Sequence, residues 1–255
     1  TGKPAKPVHI IHRRASAEAD VSRHHLIRLE PGAELTLLET GMVGARSNGV
    51  TEVDLAPGAR LNRIAAKRAG HQKLGFSGIF ARVDAEAAFK NFELSVNGTL
   101  MRHEAVVEFV GDDAVAHVAA AVLGDGRTGP FHHDDTVFVT HGAERCESRQ
   151  VFKKVLKHGA RGIFQGKILV RPGAQKTDGY QISQSLLLDD DSQFLAKPEL
   201  EIYADDVKCS HGATSGAIDE TALFYLQSRG VPKRMAQSLL VLAFLAEALD
   251  EIERG

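Results

Sequence analysis

The sequence predicts a mainly β chain that closes in a small helical domain, and three observations carry that prediction. From about Val8 to Thr214, short segments of alternating or β-branched residues recur, each closed by Gly, Asn, Asp or Pro. One kind of turn returns along this stretch: Leu29-Glu30-Pro31-Gly32-Ala33 and Leu55-Ala56-Pro57-Gly58-Ala59 lie about 26 residues apart, within the period range of stacked repeats. Near Ile218 the pattern changes to a helical one. The division is therefore a β core over residues 1–216 and a helical domain over 217–255.

Within the core, Glu34 to Glu39, Glu104 to Val110, Thr136 to Thr140 and Lys167 to Val170 read as strands. Arg171-Pro172-Gly173-Ala174 repeats the turn, and Asn97-Gly98 is a tight-turn signal. A long run of short strands without helices leaves a sandwich, a barrel or a β-solenoid, and degenerate repeats do not separate them by periodicity. Recurrent Pro-Gly-Ala turns stack most simply as a parallel solenoid, which is the expectation for Val8 to Thr214. Asp219 then caps a helix through Arg229 that Gly230 stops, and Pro232 suits the start of a second helix running to about Glu253. In that helix Leu239 to Ala246 is apolar nearly all round. Two uses of such a face stay open: packing on the chain's own core, or docking a partner through Leu239, Leu242 and Phe244.

Composition excludes several classes. With 31 basic and 33 acidic residues the net charge is -2, so no positive field exists to neutralise a phosphate backbone, and nucleic acid is not an expected partner. Two distant cysteines, Cys146 and Cys209, make neither a disulfide framework nor a zinc finger, which favours a reducing, cytoplasmic setting. The apolar run of the second helix is far short of the roughly 20 residues that span a bilayer, so no membrane is expected. The chain opens on Thr1 without a secretory pattern and without Met, as a piece of a longer protein would.

Catalytic signatures fail one by one. The stretch from Gly162 to Ile168 looks like a phosphate loop, but its glycine spacing is one residue short and Ile168 stands where a hydroxyl should hold magnesium. His103-Glu104 begins a zinc-protease pattern that Val107 breaks, and Asn97-Gly98-Thr99 is an acceptor sequon only in a secreted protein. Twelve histidines invite a metal, and His132-His133-Asp134-Asp135 with His141 is their densest set. On a strand these four residues divide between two faces, so a solvated turn is the expectation there. A metal- or carboxylate-dependent enzyme on a β-helix or cupin-like barrel, using His132, Asp134 and His141, is the rival reading. A homodimeric structural protein without metal is the third.

Cys209-Ser210-His211 places a thiol and an imidazole on one side of a strand. Iron or a cluster accepts both, yet a small packed Cys beside a structural His fits the same spacing, and two ligands cannot complete a site.

The stretch from Lys197 to Thr214, through Tyr203-Ala204-Asp205-Asp206-Val207-Lys208-Cys209-Ser210-His211-Gly212, resembles SufD in the SufB/SufD family of iron–sulfur cluster assembly scaffold proteins. Phe224-Tyr225-Leu226, Ser228-Arg229-Gly230, Cys146-Glu147-Ser148-Arg149-Gln150, Phe164-Gln165-Gly166-Lys167-Ile168 and Gln175-Lys176-Thr177-Asp178 extend the resemblance in order. Gly212 stands where the SufB type carries Glu. The resemblance implies a right-handed parallel β-helix followed by helices, and a non-catalytic scaffold that pairs with a SufB-like sister and docks a SufC-like ATPase. It implies His211, with Cys209 beside it, as a ligand for iron or a nascent cluster in the assembled complex, and no cofactor in the isolated chain. A solenoid end without its sister is expected to pair with a second copy, giving a homodimer when isolated.

Overall fold

A computed structural model describes residues 6–13, 16, 18–41, 45–68 and 73–253; the opening residues 1–5, part of the segment read for a secretory pattern, lie outside them. Strands β1 (Val8–Ile11), β3 (Glu34–Thr40), β5 (Arg60–Arg68), β7 (Ala88–Val96), β9 (Val115–Asp125), β11 (Glu147–Lys157), β13 (Thr177–Leu187) and β15 (Val207–Gly216) form one eight-stranded sheet in that order. Strands β2 (Asp20–Leu29), β4 (Arg46–Leu55), β6 (Leu74–Val83), β8 (Leu100–Phe109), β10 (His132–His141), β12 (Arg161–Val170) and β14 (Gln193–Ile202) form the other, seven-stranded. Every pairing is parallel, and consecutive strands alternate between sheets. The chain is thus a parallel β-solenoid, and a right-handed sense is the one that right-twisted strands favour in its crossovers.

Parallel pairing in register stacks each inward residue on its counterpart one coil away. Leu61 lies under Phe89 and Phe89 under Ala116, while Val53, Ala81, Val107, Val139 and Ile168 follow one another in the opposite sheet. These side chains are buried and form the apolar half of the interior.

The corner that joins each even strand to the next odd one explains the recurring turn. Ala33, Ala59, Ala87, Ala114 and Cys146 are all buried there, because the corner admits only a small side chain. Cys146 is the ladder's thiol-bearing member, and burial pushes its thiol up to about 11, so it packs rather than reacts. The residue before each small one is left-handed: Gly32, Gly58, Glu86, Asp113 and Arg145 have φ between 54° and 70°. Each donates its N–H to the turn of the next coil, as Gly32 does to Pro57 and Glu86 to Asp112. Glycine accommodates that φ without strain, and the three later turns hold it with these stacked bonds.

The other half of the interior is polar. Glu39 meets Arg63 at 2.7 Å, Lys67 meets Glu93 at 2.7 Å, and Lys154 meets Asp135 at 2.6 Å, all with little exposure. Burial alone would raise these carboxyls, but the cations overcome it: Glu39 and Glu93 fall from 4.5 to about 2, and Asp135 lies below the ordinary range.

Helices α1 (Glu220–Ser228) and α2 (Lys233–Glu253) close the chain. The Asp219 side chain accepts from the N–H groups of Thr221 and Ala222, and Gly230 at φ 86° ends α1. Pro232 precedes α2, its carbonyl accepting from the Ala236 N–H. α2 lies on the outer face of β9 and β11, with Leu245 and Ala248 packed against Phe92, Ala119, Ala121, Val151 and Val155.

Two predictions follow from this interior. A Cβ at Gly111 would meet the Ala85 backbone, with Cα at 2.7 Å, where neither turn can yield; Gly111→Ala is expected to cost about 1–3 kcal/mol in urea unfolding, and an unchanged midpoint would refute the close stacking. Acid is the second lever. Burial lowers His141 from 6.5 to about 4, so this group contributes stability fully present above pH 6.5 and lost as pH falls toward 4. Glu39 and Glu93 add a further loss below pH 4.5. The urea midpoint should fall steadily from pH 7 to pH 3, and His141→Gln should flatten the upper part of that slope.

Candidate functional site

β15 is the last strand of its sheet, paired with β13 on one edge and with no strand on the other among the described residues. β14 ends the opposite sheet in the same way. The solenoid therefore finishes in an open rung whose backbone groups and inward side chains have no coil above them.

Cys209 and His211 both belong to that rung. In register Cys209 lies over Gly179 and His211 over Gln181, and the i, i+2 spacing turns both side chains the same way. Their surroundings differ. Cys209 is half-buried against the end cluster of Ile168, Val170, Ala174 and Ala204, and burial raises its thiol pKa. A Cβ on Gly179 would lie 3.2 Å from its sulfur, so glycine beneath it makes the space it occupies. His211 is exposed.

Beneath His211 runs a buried polar column. Gln181 Nε2 donates to Gln150 Oε1 at 2.7 Å, and Gly166 on the facing sheet leaves room, since a Cβ there would lie 2.7 Å from Gln181 Cδ. Gln181 Oε1 is buried and accepts no hydrogen bond, one rung below His211. Such an acceptor can take the N–H of an imidazole whose other nitrogen binds a metal. Among the described residues no three His, Cys, Asp or Glu side chains cluster closely enough to hold a metal ion, and the two side chains of β15 are too few to complete a site by themselves.

The dense histidine stretch is not a solvated turn. His132 to Asp135 opens β10, with His133 and Asp135 buried inside the solenoid and Asp134 held outside by Arg102 at 2.9 Å. The turn expectation fails because charged residues at inward positions are neutralised by Lys154, which strand alternation does not reveal. His141 also points inward, bonded to Ser148 Oγ at 2.8 Å, and stands at the far end of β10 on the face opposite to His132 and Asp134. The three residues of the enzyme reading do not converge. The phosphate-loop look-alike is simply β12.

On α2, Phe244 is half-buried, its ring 4.6 Å from Lys153 Nζ, which also bonds Glu247 and Gln184. Phe244 thus serves the chain's own packing. Leu239 and Leu242 remain exposed, with Met235 on α2 and Phe224 and Tyr225 on α1 also at the surface. The core-packing reading holds for the face that bears Phe244, Leu245 and Ala248, and the face that bears Leu239 and Leu242 is uncovered among the described residues. No helix among the described residues is long and apolar enough to cross a membrane. The pairs inside the solenoid, Glu39 with Arg63 and Lys154 with Asp135, escaped the sequence reading; their signal was a charge at an inward position of an alternating strand.

Residues 12–244 match the family described as SUF system FeS cluster assembly, SufBD core domain. The chain is 32% identical over 98% of its length to the iron–sulfur cluster assembly protein SufD of Escherichia coli, covering 60% of that relative. It is 30% identical over 88% of its length to the chloroplastic protein ABCI7 of Arabidopsis thaliana, covering 48% of it, and 33% identical over 58% of its length to SufD of Bacillus subtilis. The chain thus spans about half the length of these curated relatives, or somewhat more for the first.

The two faces of α2 should separate by mutation. Phe244→Asp is expected to loosen α2 from the sheet, raising amide exchange across residues 233–253, whereas Leu242→Asp should leave exchange and the urea midpoint unchanged. Equal effects would show that the exposed face also stabilises the fold.

Proposed function

Because the chain belongs to the SufBD core family of the SUF iron–sulfur cluster assembly system and is SufD-like in its relatives, we propose that it is a non-catalytic scaffold subunit whose open solenoid end completes a cluster-forming interface with a SufB-like sister. The observation that carries this reading is the terminal rung of β15: two donors, Cys209 and His211, on one side of a strand with an unpaired edge, too few to hold iron alone. A partner strand set against that edge would satisfy its backbone groups and bring the missing thiolate or carboxylate. Iron or the nascent cluster is then cargo of the interface, and the isolated chain holds none.

His211 is the first ligand in this proposal, because it is exposed above the Gln181–Gln150 pair, while Cys209 is packed and its thiol proton is harder to remove. The exposed side chains Leu239 and Leu242 of α2, with Phe224 of α1 exposed too, are the surface we assign to a SufC-like ATPase, which would supply the nucleotide chemistry. Without its sister the open end should pair with a second copy, giving a homodimer. Two free cysteines accord with a reducing, cytoplasmic setting.

Co-expression with SufB-like and SufC-like proteins tests this. The three should co-purify, and His211→Ala should leave that complex intact while removing most of its iron and acid-labile sulfide; Cys209→Ala should remove less. Full cluster content in the His211→Ala complex would show the residue to be structural, whereas failure of the unaltered chain to co-purify would sink the pairing itself.

A further inference from the structure

At the opposite end of the solenoid from β15 the polar half of the interior holds one more cation than it can pair. Arg23 on β2, Arg63 and Lys67 on β5 point inward together with the carboxylates Glu39 on β3 and Glu93 on β7. Each carboxylate already faces one cation and one histidine: Glu39 has Arg63 at 2.7 Å and His12 at 3.4 Å, and Glu93 has Lys67 at 2.7 Å and His103 at 3.2 Å. Burial first lowers the pKa of His12 and of His103; Arg23 adds to this at His12 and Lys67 at His103, while Glu39 and Glu93 oppose it. Arg23 has no carboxylate within ion-pair distance among the described residues, and its Nε–H is buried without an acceptor. Residues 42–44 and 69–72 contain no Asp or Glu that could supply one.

The hollow around this guanidinium is shaped by glycine. In register Arg23 lies beside Gly49, where a Cβ would stand 3.1 Å from Arg23 Nη2, and Ser47 lies beside Gly75, where a Cβ would stand 2.7 Å from Met101 Cε. The resulting cavity is bordered by Arg23, Ser47, Lys67, Ser77 and Met101, with Glu39 and His12 at its side. It leaves about 20 Å³ for the centres of water-sized atoms, room for roughly one or two such atoms. Ser77 is occupied by Lys67 and His103, which leaves the Arg23 guanidinium and the Ser47 hydroxyl as open donors.

We propose that this cavity is a binding site for one monovalent anion of chloride size, held by Arg23 and Ser47 inside the N-terminal coils. A buried donor on an unpaired cation, a hydroxyl donor and an excess of one positive charge favour an anion over a neutral water. A single surplus positive charge matches a monovalent anion better than a phosphate or sulfate dianion. Halide and hydrosulfide share the required charge and size. This site is independent of the scaffold reading and of the β15 end.

Crystals of the full chain grown in bromide should show an anomalous peak beside Arg23 Nε and Ser47 Oγ. In solution, replacing gluconate by chloride at constant ionic strength should raise the melting midpoint saturably, and phosphate should add nothing beyond ionic strength. Ser47→Ala should weaken the chloride effect and Arg23→Gln should abolish it, an expected loss of about tenfold or more in apparent affinity; Arg23→Lys, which keeps the charge, checks that the fold survives. Displacement of bromide by hydrosulfide under anaerobic conditions would assign sulfide as a ligand, and its failure to displace would assign halide. No anomalous peak together with no saturable chloride effect in the unaltered chain overturns the proposal.

Discussion

The structure depends on one constraint: in a parallel solenoid every inward residue rests on its equivalent one coil away, so the interior is filled by columns rather than by pairs. A column of aliphatic residues packs without further condition, as Val53, Ala81, Val107, Val139 and Ile168 do. A charge in a column must find its opposite in a neighbouring column of the same or the facing sheet. Arg63 therefore faces Glu39 and Asn91, Lys67 faces Glu93, and Lys154 faces Asp135 across the interior. Removing one member of such a pair leaves a buried charge, which costs about 3–5 kcal/mol, whereas an aliphatic pair would cost nothing to desolvate. The polar half of the interior is thus a specific arrangement maintained against an apolar alternative.

The same constraint decides what could be read from the sequence. Alternation marks strands wherever one face is apolar, and the strands from Glu34, Glu104, Thr136 and Lys167 are found where they were expected. Pro-Gly-Ala marks the corner where glycine fills the left-handed position, as at Gly32 and Gly58. In the coils between, Glu86, Asp113 and Arg145 occupy that position, and no local signal distinguishes them from surface residues. The repeat was degenerate for that reason, since hydrogen bonds to the adjacent turn replace glycine's conformational freedom. Register is likewise not local: whether Asp135 meets a lysine depends on Lys154 reaching it across the interior from the opposite sheet. A reader of sequence sees two charges in different strands and assigns both to solvent.

The helices show a similar limit. Leu239 to Ala246 is apolar nearly all round, and sequence leaves core packing and partner docking open. The sheet takes the face bearing Phe244, Leu245 and Ala248, because Val151 and Val155 on β11 are aliphatic outward residues that need cover. What the sheet does not cover, Leu239 and Leu242, is apolar surface that folding of this chain leaves in water. One helix thereby covers the sheet with one face and leaves a second apolar face open.

A histidine inside such a column has two possible fates, and this chain contains both. His141 sits in a closed coil, enclosed by Phe109 and Ser148, and burial holds it neutral at physiological pH and away from any ligand. His211 occupies an equivalent inward position, but no coil follows it, so its ring reaches solvent while the column beneath remains ordered by Gln181 and Gln150. The terminal rung of β15 thus offers an imidazole that is both placed by the interior and exposed to solvent. The ligand role proposed for His211, with Cys209 beside it, rests on this position: a side chain in a closed coil is shut off from any second chain, whereas those of β15 have no coil above them. The open edge and both of these side chains occupy the same strand.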